Sequence, residues 1–583
     1  MRQKVFFLLV ALSLFAGATR LVAEDDFDGQ KLRMADPPVR AYMDKHLPPI
    51  HESPLPPDEE DLQLFDAMLE KGDPGEAERV AWVLGDWVGS GNVSLLLKAA
   101  EHDVAAVRAQ AATSLGRLSP VLEPSQRLAV VEQLSRMLSA DDSRVVASAL
   151  RSLGELRATA QAEEVGRFVG SAERTIAVAA IRAIGKMGKA KNFSFIESAL
   201  DSDDIAIRRA AVAATGGLGD AELASQIVGG LQAKSPSVRV ATINAIQRVG
   251  AGALEPQLLR LLDDKQAFIR RESLKALISL GGDKYERDYL HSTSDEDHSV
   301  RLVATRAIGQ FELTSGVPHL VKRFSDENKY VRQAAVNSLV TIGTTKAEQQ
   351  AATALSSDFP FARSAASQAL GRLKSQAGAE QHLKLLRDEH LPARRWAAWA
   401  MGQMMYKPAA AELFDVAFSG EQDAQVTAGA ILSMGKLGYR KVLPECHRLL
   451  PQKPTMSNPG KPTAVRAASA RTMGVLKDEK GLNLLVGRLE DWQSMIPEID
   501  EIREESAIAM GRIGSDRALP ALRSHMTARE ESYRIRIACH WAISRITGET
   551  PPLDLPPRGY PQTNYFVSRL KEKGSSEDPA EEQ

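Results

Sequence analysis

Apolar residues along this chain return at steps of three and four, and the whole pattern returns about thirty-one residues later. We set position zero at the residue, hydrophobic in every copy but the first (Glu76), that precedes a frequent Arg. It falls at 76, 107, 145, 176, 207, 238, 269, 300, 331, 362, 393, 426, 465, 502 and 535, and from 145 to 393 every interval is 31. Apolar or small residues then occupy positions 0, 3, 4, 7, 8 and 11, the spacing of an amphipathic helix. In one copy they are Val331, Ala334, Ala335, Ser338, Leu339 and Ile342. A turn with Asp or Ser precedes each copy, as in Asp203-Asp204 or Asp263-Asp264, and can cap the helix. Before the turn lies a short apolar helix, such as Phe195 to Leu200 or Leu258 to Leu262. Gly near position 9 or 12 (Gly116, Gly185, Gly309, Gly343, Gly371) suits a close helix crossing or a helix end.

Each unit is thus two antiparallel helices. Neither buries its apolar face alone, so a fixed period of this size predicts stacked neighbours sharing one core. The expected fold is all-α, a right-handed superhelical solenoid of about fifteen two-helix repeats over residues 67–548. Later intervals lengthen to 33, 39, 37 and 33, which predicts loop insertions.

Copies such as "VRAQAATSLGRL" from Val107 and "VRLVATRAIGQF" from Val300 follow the grammar D-x-x-x-x-V-R-x-x-A-A-x-A-L-G. This grammar resembles HEAT repeats, in particular the short HEAT-like type named after phycobiliprotein lyases. The resemblance implies a solenoid and says little about activity. A tetratricopeptide array would repeat every 34 residues, and an ankyrin array would carry T-P-L-H-x-A, which is absent.

The flanks read differently. Residues 1–23 look like a signal peptide: Arg2 and Lys4 precede an apolar run, Val5 to Ala18, too short for a comfortable bilayer span. Cleavage is expected after Ala18 or Ala23, which makes the mature chain exported, periplasmic or secreted, with no transmembrane segment. A retained N-terminal anchor is the alternative. Residues 24–66 form a Pro-rich lead-in with twelve acids and four bases, expected to run extended and pack on the first repeat. Residues 549–583 carry "TPPLDLPPRGYP" and an acidic end, and are expected to be a disordered tail. The register sets Cys446 and Cys539 about three repeats apart, so they are expected to stay unpaired.

Candidate chemistry is sparse. Deoxyhypusine hydroxylase, a HEAT-like enzyme, holds di-iron through several His-Glu pairs; this chain has one, His51-Glu52, outside the repeats. No haem, phosphate-loop, zinc-protease or serine-hydrolase signature occurs. No catalytic residue, metal or cofactor is expected. Arg at position 1 recurs, including Arg208, Arg270, Arg301, Arg332 and Arg363. Such an Arg is expected to form a structural ladder with turn acids of its own or a neighbouring repeat, for example Asp203, Asp297 or Asp358, four to six residues earlier.

Positions 2, 6 and 10 share one helix stripe that the apolar pattern avoids, so it should face solvent. The stripe holds fifteen Lys or Arg against four acids, although the whole chain carries a net charge of −2. Arg151, Arg182, Lys275, Arg306, Arg248 and Arg372 lie on it, with Trp399 and Trp541 at position 6. In the HEAT-like arrays that the grammar resembles, this second helix lines a concave surface. A basic stripe favours an acidic partner; the alternative is that Lys and Arg are there as helix formers and for solubility. The insertions 451–463 and 490–501 offer a second surface, with Trp492 as its anchor. The expected function is a non-enzymatic scaffold that binds an acidic protein. Alternatives are an anionic cell-envelope polysaccharide as ligand, or an enzyme of the HEAT-like lyase or hydroxylase (oxidoreductase) group. Nucleic acid is not expected, given the export signal.

Overall fold

The computed structural model describes residues 59–553 except 87–91, 219–226, 420–422, 454–459, 493, 495–496 and 529–530, together with Val39, Tyr42, Lys45 and His46. Residues 1–23, where a signal peptide is expected, most of the lead-in, including His51-Glu52, and the tail from 554 lie outside these residues. The described secondary structure is helical throughout, and the fold is an all-α solenoid of stacked two-helix repeats.

Every position zero falls in a long second helix. These are α1 (Pro74–Asp86), α2 (Ala105–Arg117), α3 (Ser143–Glu155), α4 (Arg174–Met187), α5 (Ile205–Gly217), α6 (Pro236–Val249) and α7 (Ala267–Gly281). They continue as α8 (His298–Gln310), α9 (Lys329–Ile342), α10 (Pro360–Leu373), α11 (Leu391–Gln403), α12 (Ala424–Lys436), α13 (Thr463–Val475), α14 (Asp500–Ile513) and α15 (Tyr533–Thr547). First helices are shorter and often tighten into a 3₁₀ turn, as Phe193–Ile196 does into Glu197–Asp201. The chain forms two compact units, one built on α1–α7 and the other on α8–α15. Within each, consecutive second helices pack side by side.

The 31-residue grammar has a steric cause. Gly at position 9 sits against the small residue at position 7 of the next repeat. A Cβ on Gly185 would lie 2.6 Å from Ala214 Cα, and one on Gly216 would lie 2.7 Å from Ala245 Cα. Where position 7 is Ser, its hydroxyl donates to the position-5 carbonyl of the previous helix. Ser114 reaches Ala81 O and Ser152 reaches Ala112 O, both at 2.7 Å, and Ser433 reaches Ala398 O at 2.6 Å. Position 12 serves the helix end instead: Gly250 and Gly343 adopt the left-handed conformation there. At the other end, Asp142, Asp204, Asp297, Asn328 and Asp423 cap their helices, each accepting from a backbone N–H of the first turn. Asp264, by contrast, accepts from Gln266 N–H two residues too early to cap α7, whose N-cap is Gln266.

The position-1 arginines do form a ladder, with a different geometry from the expected one. Each Nη1 donates to backbone carbonyls of the preceding turn, not to its carboxylates: Arg208 to Ser202 O, Arg270 to Asp264 O, Arg301 to Asp295 O and Glu296 O, Arg332 to Asp326 O and Glu327 O, Arg363 to Ser357 O. The carboxylate comes from the next repeat. Arg301 pairs with Asp326 and Arg363 with Asp388, at 2.7–2.9 Å. Burial alone would raise the Asp326 carboxyl; the bonds from Arg301 and the Asn328 N–H outweigh it and hold it below the usual carboxylate range.

Two placements correct the sequence reading. Tyr42 donates its hydroxyl to His540 Nδ1 on α15, at 2.5 Å, and His46 tilts against the same ring. Tyr42 and His46 of the lead-in therefore meet the last repeat, while its end, in the helix Glu59–Lys71, packs on the first as expected, with Phe65 fully buried in the same core as Val80 and Leu84. His540 Nε2 donates to Pro551 O at 2.7 Å, which leaves Nδ1 as the acceptor. The insertions at 451–463 and 490–501 tie to one another: Lys453 Nζ lies 2.5 Å from Asp491 and 3.1 Å from Ser494. Glu498, in the second insertion, pairs with the fully buried Arg466. Cys446 and Cys539 are free and buried, and burial pushes the Cys446 thiol up to about 12.

Candidate functional site

In the N-terminal unit the outward stripe of α3, α4, α5 and α6 opens into two clefts. One, of about 460 Å³, is lined by Arg144, Arg151, Arg174 and Arg182 over Ala147, Ser148, Ala179 and Ala206. The other, of about 500 Å³, is lined by Arg157, Arg182, Lys186 and Arg248 over Ala210, Ala213, Ala214 and Gly217, with Glu155 as its acid. Arg182 borders both, so the two are one continuous basic trough. Small residues at positions 2, 3, 6 and 7 keep its floor low; basic side chains form its walls.

Not every base is available. Lys186 pairs with Glu155, Arg174 with Asp204, and Arg144 with its own N-cap Asp142. Arg151 donates to Ala147 O and Ser148 Oγ, and Arg248 to Ala213 O. Among the described residues no carboxylate approaches Arg151, Arg182, Arg209 or Arg248 within 4 Å, and all four are exposed. Arg182 makes no hydrogen bond among the described residues.

The other expected site residues divide. Lys275 is exposed and shares Glu272 with Arg271. In the C-terminal unit Arg306 is exposed, and Arg372 donates to Asn337 Oδ1 at 2.5 Å. Two stripe arginines are buried: Arg395 pairs bidentately with Asp423, and Arg471 pairs with Glu505. Trp399 and Trp541 are half-buried, each over a position-9 glycine of the previous helix, where a Cβ on Gly371 or Gly511 would meet the indole at 2.7 or 2.8 Å. Trp399 also packs edge-on to buried Trp396. Trp492 packs edge-on to buried His525 and is half-buried, not a free anchor. Arg144, Arg157 and Arg174 line the trough at positions −1, 12 and −2, outside the stripe pattern, and periodicity alone does not select them. No group of three or more metal-ligating side chains lies together among the described residues, and no described helix is long and apolar enough to cross a membrane.

Comparison with known proteins agrees with this architecture. A HEAT-repeat model matches residues 62–154, 287–358 and 348–435, and a PBS lyase HEAT-like repeat model matches 502–527. Three solved structures similar to this chain are importin beta, yeast importin-beta (Kap95p) and the complex of Kap95 with Nup1. They are 14%, 13% and 12% identical, cover 83%, 84% and 94% of this chain and 72%, 72% and 76% of theirs, and have TM-scores of 0.51, 0.52 and 0.52. At such identities the likeness shows the fold. No curated protein matches the chain. The chain contains HEAT repeats over residues 62–154 and 287–435 and a repeat of the PBS-lyase type at 502–527.

Proposed function

We propose that this HEAT-repeat chain is an exported, non-enzymatic scaffold that holds an acidic, extended segment of a protein partner along the trough of α3–α6. The observation that carries this reading is that Arg151, Arg182 and Arg248 stand exposed without a carboxylate within 4 Å, over a floor of Ala and Gly, while Arg395, Arg466, Arg471 and Arg503 of the C-terminal unit are buried against one. The similar Kap95 solenoid is seen holding another protein, Nup1, which supports a role in recognition.

The mechanism is electrostatic. A free guanidinium offers a planar fork of N–H donors that fits a carboxylate through two bonds. One exposed pair contributes below about 1 kcal/mol. Several in register, on a surface already ordered by the fold, add up and speed encounter with an acidic chain. The low floor lets an extended backbone approach without displacing side chains.

The test is binding of a fluorescent Glu/Asp-rich peptide to the full chain and to the variant Arg151→Glu/Arg182→Glu/Arg248→Glu. We expect wild-type affinity to fall as salt rises, and the variant to bind at least tenfold more weakly with unchanged helicity. Equal affinity in a folded variant would place the working surface elsewhere. Competition by an anionic polysaccharide but not by the peptide would replace the protein partner with a polymer.

A further inference from the structure

A different surface, in the C-terminal unit, carries a second inference that does not rest on the arginine trough. Tyr330, Phe359 and Phe361 are exposed by 60%, 62% and 44%. Tyr330 and Phe361 hold position −1 at the start of α9 and α10, and Phe359 is the N-cap of α10. The fold does not call for rings there: the corresponding residues of other repeats include Thr175, Ala206, Ser237, Ser299 and Gln425. Exposed aromatic side chains in consecutive repeats mark a contact surface. Phe361 is also held in place: the Arg332 guanidinium sits 4.1 Å from its ring centre and His390 packs edge-on at 5.1 Å.

Beside the rings runs a row of acids. Glu327 and Asp358 take position −4 in the same two repeats, Glu389 takes it in the next one, and all three are exposed; the Glu327 and Glu389 side chains are exposed by 83% and 86%. Arg301 and Arg363 approach Glu327 and Glu389, yet their main partners are the buried Asp326 and Asp388. The backbone of these turns is already committed. Tyr330 N–H donates to Asn328, Phe359 N–H to Ser357 and His390 N–H to Asp388. The carbonyls of residues 326–327, 357–358 and 388–389 accept from Arg332, Arg363 and Arg394.

An occupant must therefore need no backbone partners, stack on rings and bring positive charge. A polyproline-type segment meets the first condition, because its backbone makes no internal hydrogen bonds and proline lacks the N–H. Its turn also fits the repeat: three residues rise about 9.3 Å, against a helix-to-helix step of about 8–10 Å. Successive prolines could thus meet the rings of successive repeats. We infer that the edge formed by Tyr330, Phe359 and Phe361 with Glu327, Asp358 and Glu389 binds an extended proline-rich segment bearing Arg or Lys.

The probes are fluorescent (Pro-Pro-Arg)₄, (Pro-Pro-Glu)₄ and (Gly-Ser-Arg)₄ peptides, titrated against the full chain and a Tyr330→Ala/Phe361→Ala variant. We expect (Pro-Pro-Arg)₄ to bind at least tenfold tighter than either other peptide, and the variant to lose that margin. Equal binding of (Gly-Ser-Arg)₄ would show charge without proline recognition and overturn the inference, as would a variant that binds like wild type. If the double variant loses helicity, Glu327→Gln/Glu389→Gln takes its place; tenfold weaker binding supports the site and unchanged binding refutes it. Sedimentation of the peptide-free chain covers one more occupant: self-association that the ring variant abolishes would assign the edge to a second copy instead.

Discussion

Arg182 and Arg471 stand at the same position of their repeats, position 6, and meet opposite fates. Arg182 is exposed on α4 and makes no ion pair among the described residues; Arg471 is buried on α13 against Glu505. The difference lies one repeat further on. Glu505 is position 3 of α14, whereas position 3 of α5, which follows Arg182, is Ala210, and position 3 of α4, which follows Arg151, is Ala179. One register thus yields either a buried structural pair or an available guanidinium, according to a single residue some thirty positions later. The C-terminal repeats bury further pairs in the position-1 ladder register, Arg466 with Glu498 and Arg503 with Glu531. The N-terminal trough leaves Arg151, Arg182 and Arg248 without a carboxylate within 4 Å, and availability for a partner follows from what the neighbour lacks.

The largest effect should come from breaking a buried pair. Glu505→Ala strands the Arg471 charge in the core and should cost about 3–5 kcal/mol. Arg182→Ala should change stability by less than about 1 kcal/mol. Thermal unfolding of the two variants checks the contrast, and a small loss for Glu505→Ala would show that Arg471 escapes to solvent.

Acid should reveal the same asymmetry. Burial alone would raise the Glu531 carboxyl, but His525 and Arg503 hold it at about 2 in the folded chain, against 4.5 for an ordinary Glu. A depressed folded value means stability that is present above about 4.5 and lost as pH falls towards 2, roughly 3 kcal/mol in all. Buried His382 shifts the window upward: burial lowers it from 6.5 to about 4, so the unfolded chain binds its proton first and stability falls as pH drops from about 6.5 to 4. Unfolding midpoints in urea from pH 7 to 4 should fall in wild type and fall less in His382→Gln.

A smaller effect tests the crossing. Ala is a better helix former than Gly by about 1 kcal/mol. Gly216→Ala should nevertheless destabilise by about 1–3 kcal/mol, because its Cβ would meet the Ala245 backbone. Gly487→Ala, whose Cβ would meet nothing within 4 Å, should stabilise by up to about 1 kcal/mol. Opposite signs in chemical denaturation support the steric account; equal signs refute it.

The repeat was legible because its cause is local. A glycine at position 9, a small residue at position 7 and an apolar face between them fit within one helix and its neighbour, so every position zero lies in a long helix. The ladder arginines were legible as structural, with a turn acid of their own or a neighbouring repeat as partner, but spacing alone does not choose between the two turns. A guanidinium that satisfies the preceding turn's carbonyls still has Nε and Nη2 to place, and the acid of the next repeat takes them. The buried fates of Arg395 and Arg471 also required reading two repeats together: Asp423 and Glu505 are their partners, 28 and 34 residues on. The contact of Tyr42 with His540 spans 498 residues, and no period announces it. The ring edge at Tyr330 and Phe361 escaped notice because position −1 lies outside the amphipathic template.

The most direct test gives the trough arginines the partner that Arg471 already has. In Ala179→Glu/Ala210→Glu, position 3 of α4 and α5 carries the carboxylate found at Glu505, within reach of Arg151 and Arg182. Affinity for the Glu/Asp-rich peptide, measured by titration on a variant of unchanged helicity, should fall at least tenfold and lose its salt dependence. A folded variant that binds the peptide as tightly as wild type would contradict the claim that free guanidinium groups in this trough make the site.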